Sequence, residues 1–95
     1  MNRVEGIDPS AAPGLQFPAA HVLIAMGPAH ADFRDSLLAA LLAAGARRTD
    51  APVEHRLSRA GRYQSVRIEV HVSSREELEA LYAVVRAHPE VVYRL

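Results

Sequence analysis

The run Arg62-Tyr63-Gln64-Ser65-Val66-Arg67-Ile68-Glu69-Val70-His71-Val72 decides how the chain folds. Val66, Ile68, Val70 and Val72 fall on one side of an extended strand. Tyr63, Ser65, Arg67, Glu69 and His71 fall on the other, because side chains alternate with a period of two. One apolar and one mixed polar side predict an antiparallel sheet covered on a single face. Upstream, residues 53–59 form a second extended segment, and Ala60-Gly61 between the two predicts a hairpin. A two-residue turn there sets Glu54 opposite Arg67, an opposite-charge cross-strand pair.

Working outward on the N-terminal side, Val22-Leu23-Ile24 lies in a short apolar run over residues 21–26. Closed by Gly27-Pro28, it reads as a buried central strand. Residues 31–44 read as a helix with Phe33, Leu37, Leu41 and Ala44 on one stripe, widened by Leu38 and Leu42. Asp32 and Asp35 in its first turn complement the helix dipole, and Gly45 stops it. Arg47, Arg48, Thr49, Asp50 and Pro52 then read as a polar connection. On the C-terminal side, Ser74-Arg75-Glu76-Glu77 is a capping box opening a helix with the apolar stripe Leu78, Leu81, Tyr82 and Val85. His88-Pro89 ends it, and residues 91–95 read as a last short strand. The order is βαββαβ. With right-handed crossovers it predicts an α+β, ferredoxin-like sandwich: a four-stranded antiparallel sheet with two helices on one face. Residues 17–95 form that domain. Residues 1–16, rich in Ala, Pro and Gly, read as a flexible N-terminal tail.

Composition bounds the chemistry. The chain has 95 residues, few for a self-sufficient core, so pairing with a second copy to form a homodimer is the natural expectation. Eleven basic residues, all arginine, balance eleven acidic ones, so no global field favours nucleic acid or an anionic membrane. The absence of lysine removes Schiff-base and Walker-type chemistry. The absence of cysteine removes disulfides, thiolate nucleophiles and cysteine-based metal sites. No apolar run is long enough to span a bilayer, and the start has no secretory pattern, so the expected location is the cytoplasm.

Five histidines are present: His21, His30, His55, His71 and His88. Because the first and third strands of such a sheet are neighbours, His21 and His71 are the pair that could approach. Their spacing carries no metal signature, and scattered surface histidines are the plainer reading. Arg56, Arg59, Arg62 and Arg67 gather around the hairpin with Tyr63, but one aromatic is not an RNA-stacking platform. Gly27, between first strand and first helix, would let backbone amides approach a ligand at a helix N-terminus or simply make a tight turn. Ser58, Ser65, Ser73 and Ser74 are explained by turns, strand pairing and capping. No catalytic set is legible, so the chain reads as a non-enzyme without cofactor or metal.

Taken together, these motifs resemble the YbeD-like family of small bacterial proteins of unknown function. The resemblance is carried by Phe17-Pro18, Met26-Gly27, Phe33, the hairpin run from Ser58 to Val66, and Ser74, Leu78, Leu81-Tyr82 and His88-Pro89-Glu90-Val91. It implies a ferredoxin-like fold similar to ACT-type regulatory domains, which bind small effectors and pair through their sheets. Where the family often has a lysine three residues before the glycine, this chain has Ile24. Where it can have an asparagine after the hairpin glycine, this chain has Arg62. The leading functional expectation is a non-catalytic regulatory domain binding a small-molecule effector, with Gly27, Tyr63, Arg67 and His71 as candidate ligand residues. The second is an adaptor binding a protein partner through its open sheet face or edge strand. RNA binding is third.

Overall fold

The structure, a computed structural model, describes residues 16–92. The expected N-terminal tail lies, but for Gln16, outside the described residues. Six elements follow: β1 (Ala19–Pro28), α1 (Ala31–Ala43), β2 (Arg47–Arg48), β3 (Glu54–Leu57), β4 (Tyr63–Val72) and α2 (Arg75–Ala87). The result is an α+β arrangement with a four-stranded antiparallel sheet and two helices, consistent with the ferredoxin-like fold.

β4 is the centre of the sheet, with β1 along one edge and β2 and β3 along the other. The alternation of its sequence is kept: Val66, Ile68, Val70 and Val72 are buried, together with Leu23 and Ala25 of β1. Phe33, Leu37 and Leu41 of α1 and Leu78, Leu81 and Val85 of α2 join them in one cluster, so both helices cover the same face. Each such side chain contributes roughly 1.5–3 kcal/mol by leaving water. The stripe expected on α1 is narrower than its sequence suggests. Leu42 is exposed and Ala44 lies past the helix end, also exposed.

The hairpin keeps the expected register, with Glu54 opposite Arg67 and Leu57 opposite Gln64. Its connection is longer than a two-residue turn: Ser58 N–H donates to Tyr63 O at 2.8 Å, Gly61 N–H to Ser58 O at 3.0 Å, and Gly61 has φ 76°. Glycine accepts that left-handed backbone without strain. The segment read as a polar connection holds the extra strand β2, where Arg47 faces His71 and Arg48 faces Val70. Between Arg48 and Glu54 the five residues 49–53 span what two residues cover on β4. That bulge contains Pro52, which has no N–H for a ladder. Thr49 holds it: its N–H donates to Glu69 O, its hydroxyl to Glu69 Oε1 at 2.6 Å, and it accepts from Ala51 N–H.

The helix ends follow local rules. After α1, Gly45 has φ 95°, its N–H reaches Leu42 O and Ala46 N–H reaches Leu41 O, a Schellman closure. His30 caps the start of α1, Nδ1 accepting from Phe33 N–H at 3.2 Å; Asp32 lies in the first turn and Asp35 beyond it. Ser74 caps α2 by accepting from Glu77 N–H at 3.1 Å. Glu77 reaches back one residue further than in the usual capping box, to Ser73 N–H at 2.7 Å, and also receives Arg47 Nη2 at 3.0 Å. Of the expected last strand, Val91 and Val92 are described and 93–95 lie outside the described residues. Val92 N–H donates to Met26 O at 2.7 Å, on the side of β1 away from β4.

Glu77 therefore titrates below the usual carboxylate range, held there first by the Ser73 N–H and then by Arg47, against the opposing effect of burial. A carboxyl whose folded value lies below its unfolded one stabilises the fold fully above the unfolded value. It loses that contribution as pH falls through the folded one. Glu77→Gln is accordingly expected to be less stable than the parent chain near neutrality, with the gap closing as the solution is acidified. Urea unfolding midpoints compared from neutral to acidic pH check this, and a gap that stays constant would refute it.

Candidate functional site

No helix among the described residues covers the face of the sheet away from α1 and α2, although the 49–52 bulge leans on part of it through Thr49 and Glu69. β4 presents Tyr63, Ser65, Arg67, Glu69 and His71 there. In the observed register they stand beside Pro28, Met26, Ile24, Val22 and Ala20 of β1. On the other side Glu54 stands beside Arg67, Arg56 beside Ser65 and Arg47 beside His71. The face is therefore striped, uncharged along β1 and charged along β4 and its edge.

The apolar stripe corrects the reading of β1 as a fully buried strand. Only its odd residues face the core; Val22 is 37% and Ile24 49% exposed. The charged stripe differs from expectation in a second way. Glu54 and Arg67 are partners in register, but their side chains form no ion pair within 4.0 Å, and Arg56 and Arg67 have no ion-pair partner among the described residues. Glu69 is occupied by Thr49 and Arg47 by Glu77. A groove of about 460 Å³ runs between Glu54, His55, Arg56, Ser65 and Arg67, and a smaller one of about 200 Å³ touches Val22, Pro52, Glu54, Arg67 and Glu69.

The four candidate ligand residues do not converge. Tyr63, Arg67 and His71 share the open face, but Tyr63 and His71 are eight residues apart on one strand, roughly 26 Å at 3.3 Å per residue. Gly27 lies inside β1, not in a loop, and faces the helices: a Cβ built on it would stand 2.4 Å from Phe33 Cζ. Its lack of a side chain is explained by that ring. The same parity separates His21 from His71. His21 pairs with Val70, turns to the helix side and stacks on Phe17 with ring centroids 5.9 Å apart, while His71 is on the open face. No group of three metal-ligating side chains is found among the described residues.

A polar cluster that sequence reasoning missed lies on the helix side of the sheet. Gln64, 1% exposed, donates from Nε2 to Pro28 O at 2.8 Å and His30 O at 2.9 Å and accepts from Arg34 Nη1 at 3.0 Å. The signal was its phase: Gln64 stands in step with the buried valines of β4. Nearby, Ser36 Oγ and His88 Nε2 are 2.8 Å apart, a serine–histidine contact that no motif announced. His88 Nδ1 accepts from Glu90 N–H at 3.1 Å, so in the neutral ring Nε2 carries the proton and donates to Ser36. Ser36 in turn donates to Phe33 O at 3.2 Å. A serine facing an N–H, with its own proton on a backbone carbonyl, is not activated as a nucleophile. His30 Nε2 faces Glu90 Oε2 at 3.6 Å, closing the loop onto the end of α2.

Fold and site together define a small α+β sandwich with one covered and one open sheet face. A family model described as "Protein of unknown function (DUF493)" matches residues 12–95. A UPF0250 protein of Stenotrophomonas maltophilia (strain K279a) is 39% identical over 82 residues, covering 86% of this chain and 89% of that protein. One of Xanthomonas axonopodis pv. citri (strain 306) is 38% identical over the same length, and one of Janthinobacterium sp. (strain Marseille) 31% over 81 residues. The chain belongs to this family of proteins of unknown function, the YbeD-like family that its motifs resemble. No solved structure matches. No helix among the described residues is long and apolar enough to cross a membrane.

Proposed function

We propose that the chain is a cytoplasmic, non-catalytic binding domain whose open sheet face receives a protein partner. The observation that carries this is the pairing of an exposed aliphatic stripe, Val22 and Ile24, with the guanidinium groups of Arg56 and Arg67, without ion-pair partners among the described residues, on one open face. Exposed aliphatic area with arginine beside it is the composition of a protein contact surface. The hollows on this face are open grooves rather than enclosed cavities, which favours a broad contact over a small ligand sunk in a pocket. A regulatory role fits a domain that acts by being bound.

Ile24→Glu is the test. A charge there lies outside the core, so the thermal midpoint is expected to change by only a few degrees. Binding to a partner recovered with the parent chain is expected to fall at least tenfold, roughly 1.4 kcal/mol or more. A recovered partner that binds the variant undiminished would sink the proposal. A second reading keeps a small-molecule effector. It is favoured by the groove in which Arg56, Ser65 and Arg67 stand together with Glu54. A saturable thermal shift with one compound from a panel of small acids and nucleotides, lost in Arg67→Ala, would move the conclusion to it.

A further inference from the structure

β3 is an outer edge of the sheet, and its register shows which backbone groups are left over. Ser58 N–H donates to Tyr63 O. Residues in phase with Ser58, namely Glu54 and Arg56, therefore turn their N–H and C=O toward β4, and His55 and Leu57 turn theirs outward. β3 pairs only with β4, so among the described residues those outward groups meet no strand. Leu57 beside them is 56% exposed. The strand itself contains no proline or bulge that would blunt the edge.

We infer that a second copy of this chain covers the edge, β3 lying antiparallel to its counterpart about a two-fold axis that passes through His55 normal to the sheet. The sequence selects this register. Such an axis keeps the helix side of one copy level with the helix side of the other, so facing residues must share the same phase and outward groups must meet each other. An axis at Glu54 sets glutamate against glutamate, and one at Arg56 sets arginine against arginine, in the closely spaced pairs where like charges repel. An axis at Leu57 runs the strand into the Ser58 and Arg59 connection and leaves Glu54 without a charged counterpart. At His55 the two copies exchange both His55 backbone hydrogen bonds. Glu54 of each faces Arg56 of the other on the open side, and Val53 faces Leu57 on the helix side. Charges with no ion-pair partner among the described residues of one copy become complementary between two, and the exposed Leu57 is covered. The two four-stranded sheets join into one. Arg56 is shared with the protein contact proposed above, but Val22, Ile24 and Arg67 stay uncovered by this pairing, which does not rest on that contact.

Sedimentation equilibrium of the full chain and of Arg56→Glu, Glu54→Arg and the double variant E54R/R56E tests the register. The parent chain is expected to be a dimer. Each single inversion is expected to weaken it about tenfold or more, since two symmetric pairs turn repulsive together. The double exchange restores opposite charges and is expected to recover it. Thermal unfolding shows whether each variant is folded. Because the chain has no cysteine, His55→Cys gives an independent measurement. Facing residues in a hydrogen-bonded pair have Cα atoms about 5.5 Å apart, within disulfide reach, so oxidation should link the copies through position 55 and not in Arg59→Cys. A monomeric parent chain overturns the inference. So does a dimer indifferent to the single inversions, or one the double exchange fails to recover.

Discussion

Phe33→Ala is expected to cost about 3–5 kcal/mol, the range for emptying a buried aromatic site. In a domain of this size each kcal/mol moves the thermal midpoint by about 4–8 °C, so the midpoint should fall by at least about 12 °C. Phe33 is fully buried, and it joins three elements. Its ring lies against the backbone of Gly27 in β1 and meets the His88 ring at the end of α2 edge-on, 5.4 Å between centroids. Its N–H donates to His30 Nδ1 and its C=O accepts from the Ser36 hydroxyl. The complementary change is Gly27→Ala. The added methyl would stand 2.4–2.6 Å from three atoms of the ring, so ring or strand must move, an overpacking cost of about 1–3 kcal/mol. If the ring is the reason for the glycine, Gly27→Ala should cost distinctly less in a Phe33→Leu background than alone. A double-mutant cycle by urea unfolding is expected to show coupling above about 1 kcal/mol. Strict additivity would mean that the glycine serves something other than the ring.

How far the sequence carried the reading depends on whether a feature is encoded locally. The register of the hairpin, the Schellman glycine at Gly45 and the Ser74 cap were legible because each rests on residues a few positions apart. The covered and open faces of β4 were legible because alternation is a strong code. The same code placed Tyr63, Arg67 and His71 on one face, although along a strand rather than around a pocket. What failed was inference from composition where parity decides. Val22-Leu23-Ile24 is apolar throughout and invites a buried strand, but one sheet face is open, so every second residue is exposed. His21 and His71 sit on adjacent strands yet on opposite faces, which the neighbour relation alone does not reveal. Gly27-Pro28 looked like a loop because both residues commonly end strands. Here β1 continues through Pro28, opposite Tyr63, and the glycine is accounted for by the Phe33 ring packed against it. The Ser36–His88 contact joins residues 52 positions apart, and only the packing of the two helices creates it.

Gln64→Met keeps the length and flexibility of the side chain and removes its hydrogen bonds, and it is expected to cost about 2–4 kcal/mol. The carbonyls of Pro28 and His30 would each lose one of two donors, keeping the His30 and Phe33 N–H groups respectively, and the Arg34 guanidinium would lose its Gln64 acceptor. A methionine suits the core in size and polarity, so the loss would come from the groups left behind rather than from a cavity. That distinction is measurable. Gln64 holds the β1–α1 connection onto β4, and in its absence the His30 cap should loosen before the sheet does. Amide exchange at Phe33 is therefore expected to accelerate more than exchange at Val70 in the middle of β4, beyond what the lower global stability explains. If Gln64→Met costs less than about 0.5 kcal/mol, water replaces the amide at its three partners. A polar residue in the apolar phase of β4 would then be tolerated rather than required. If both amides accelerate equally, the domain opens as a unit and the connection has no stability of its own. The expected outcome is the unequal one, because the three bonds of Gln64 end on the last residue of β1, on the connection and on the first turn of α1, and none on the sheet's interior.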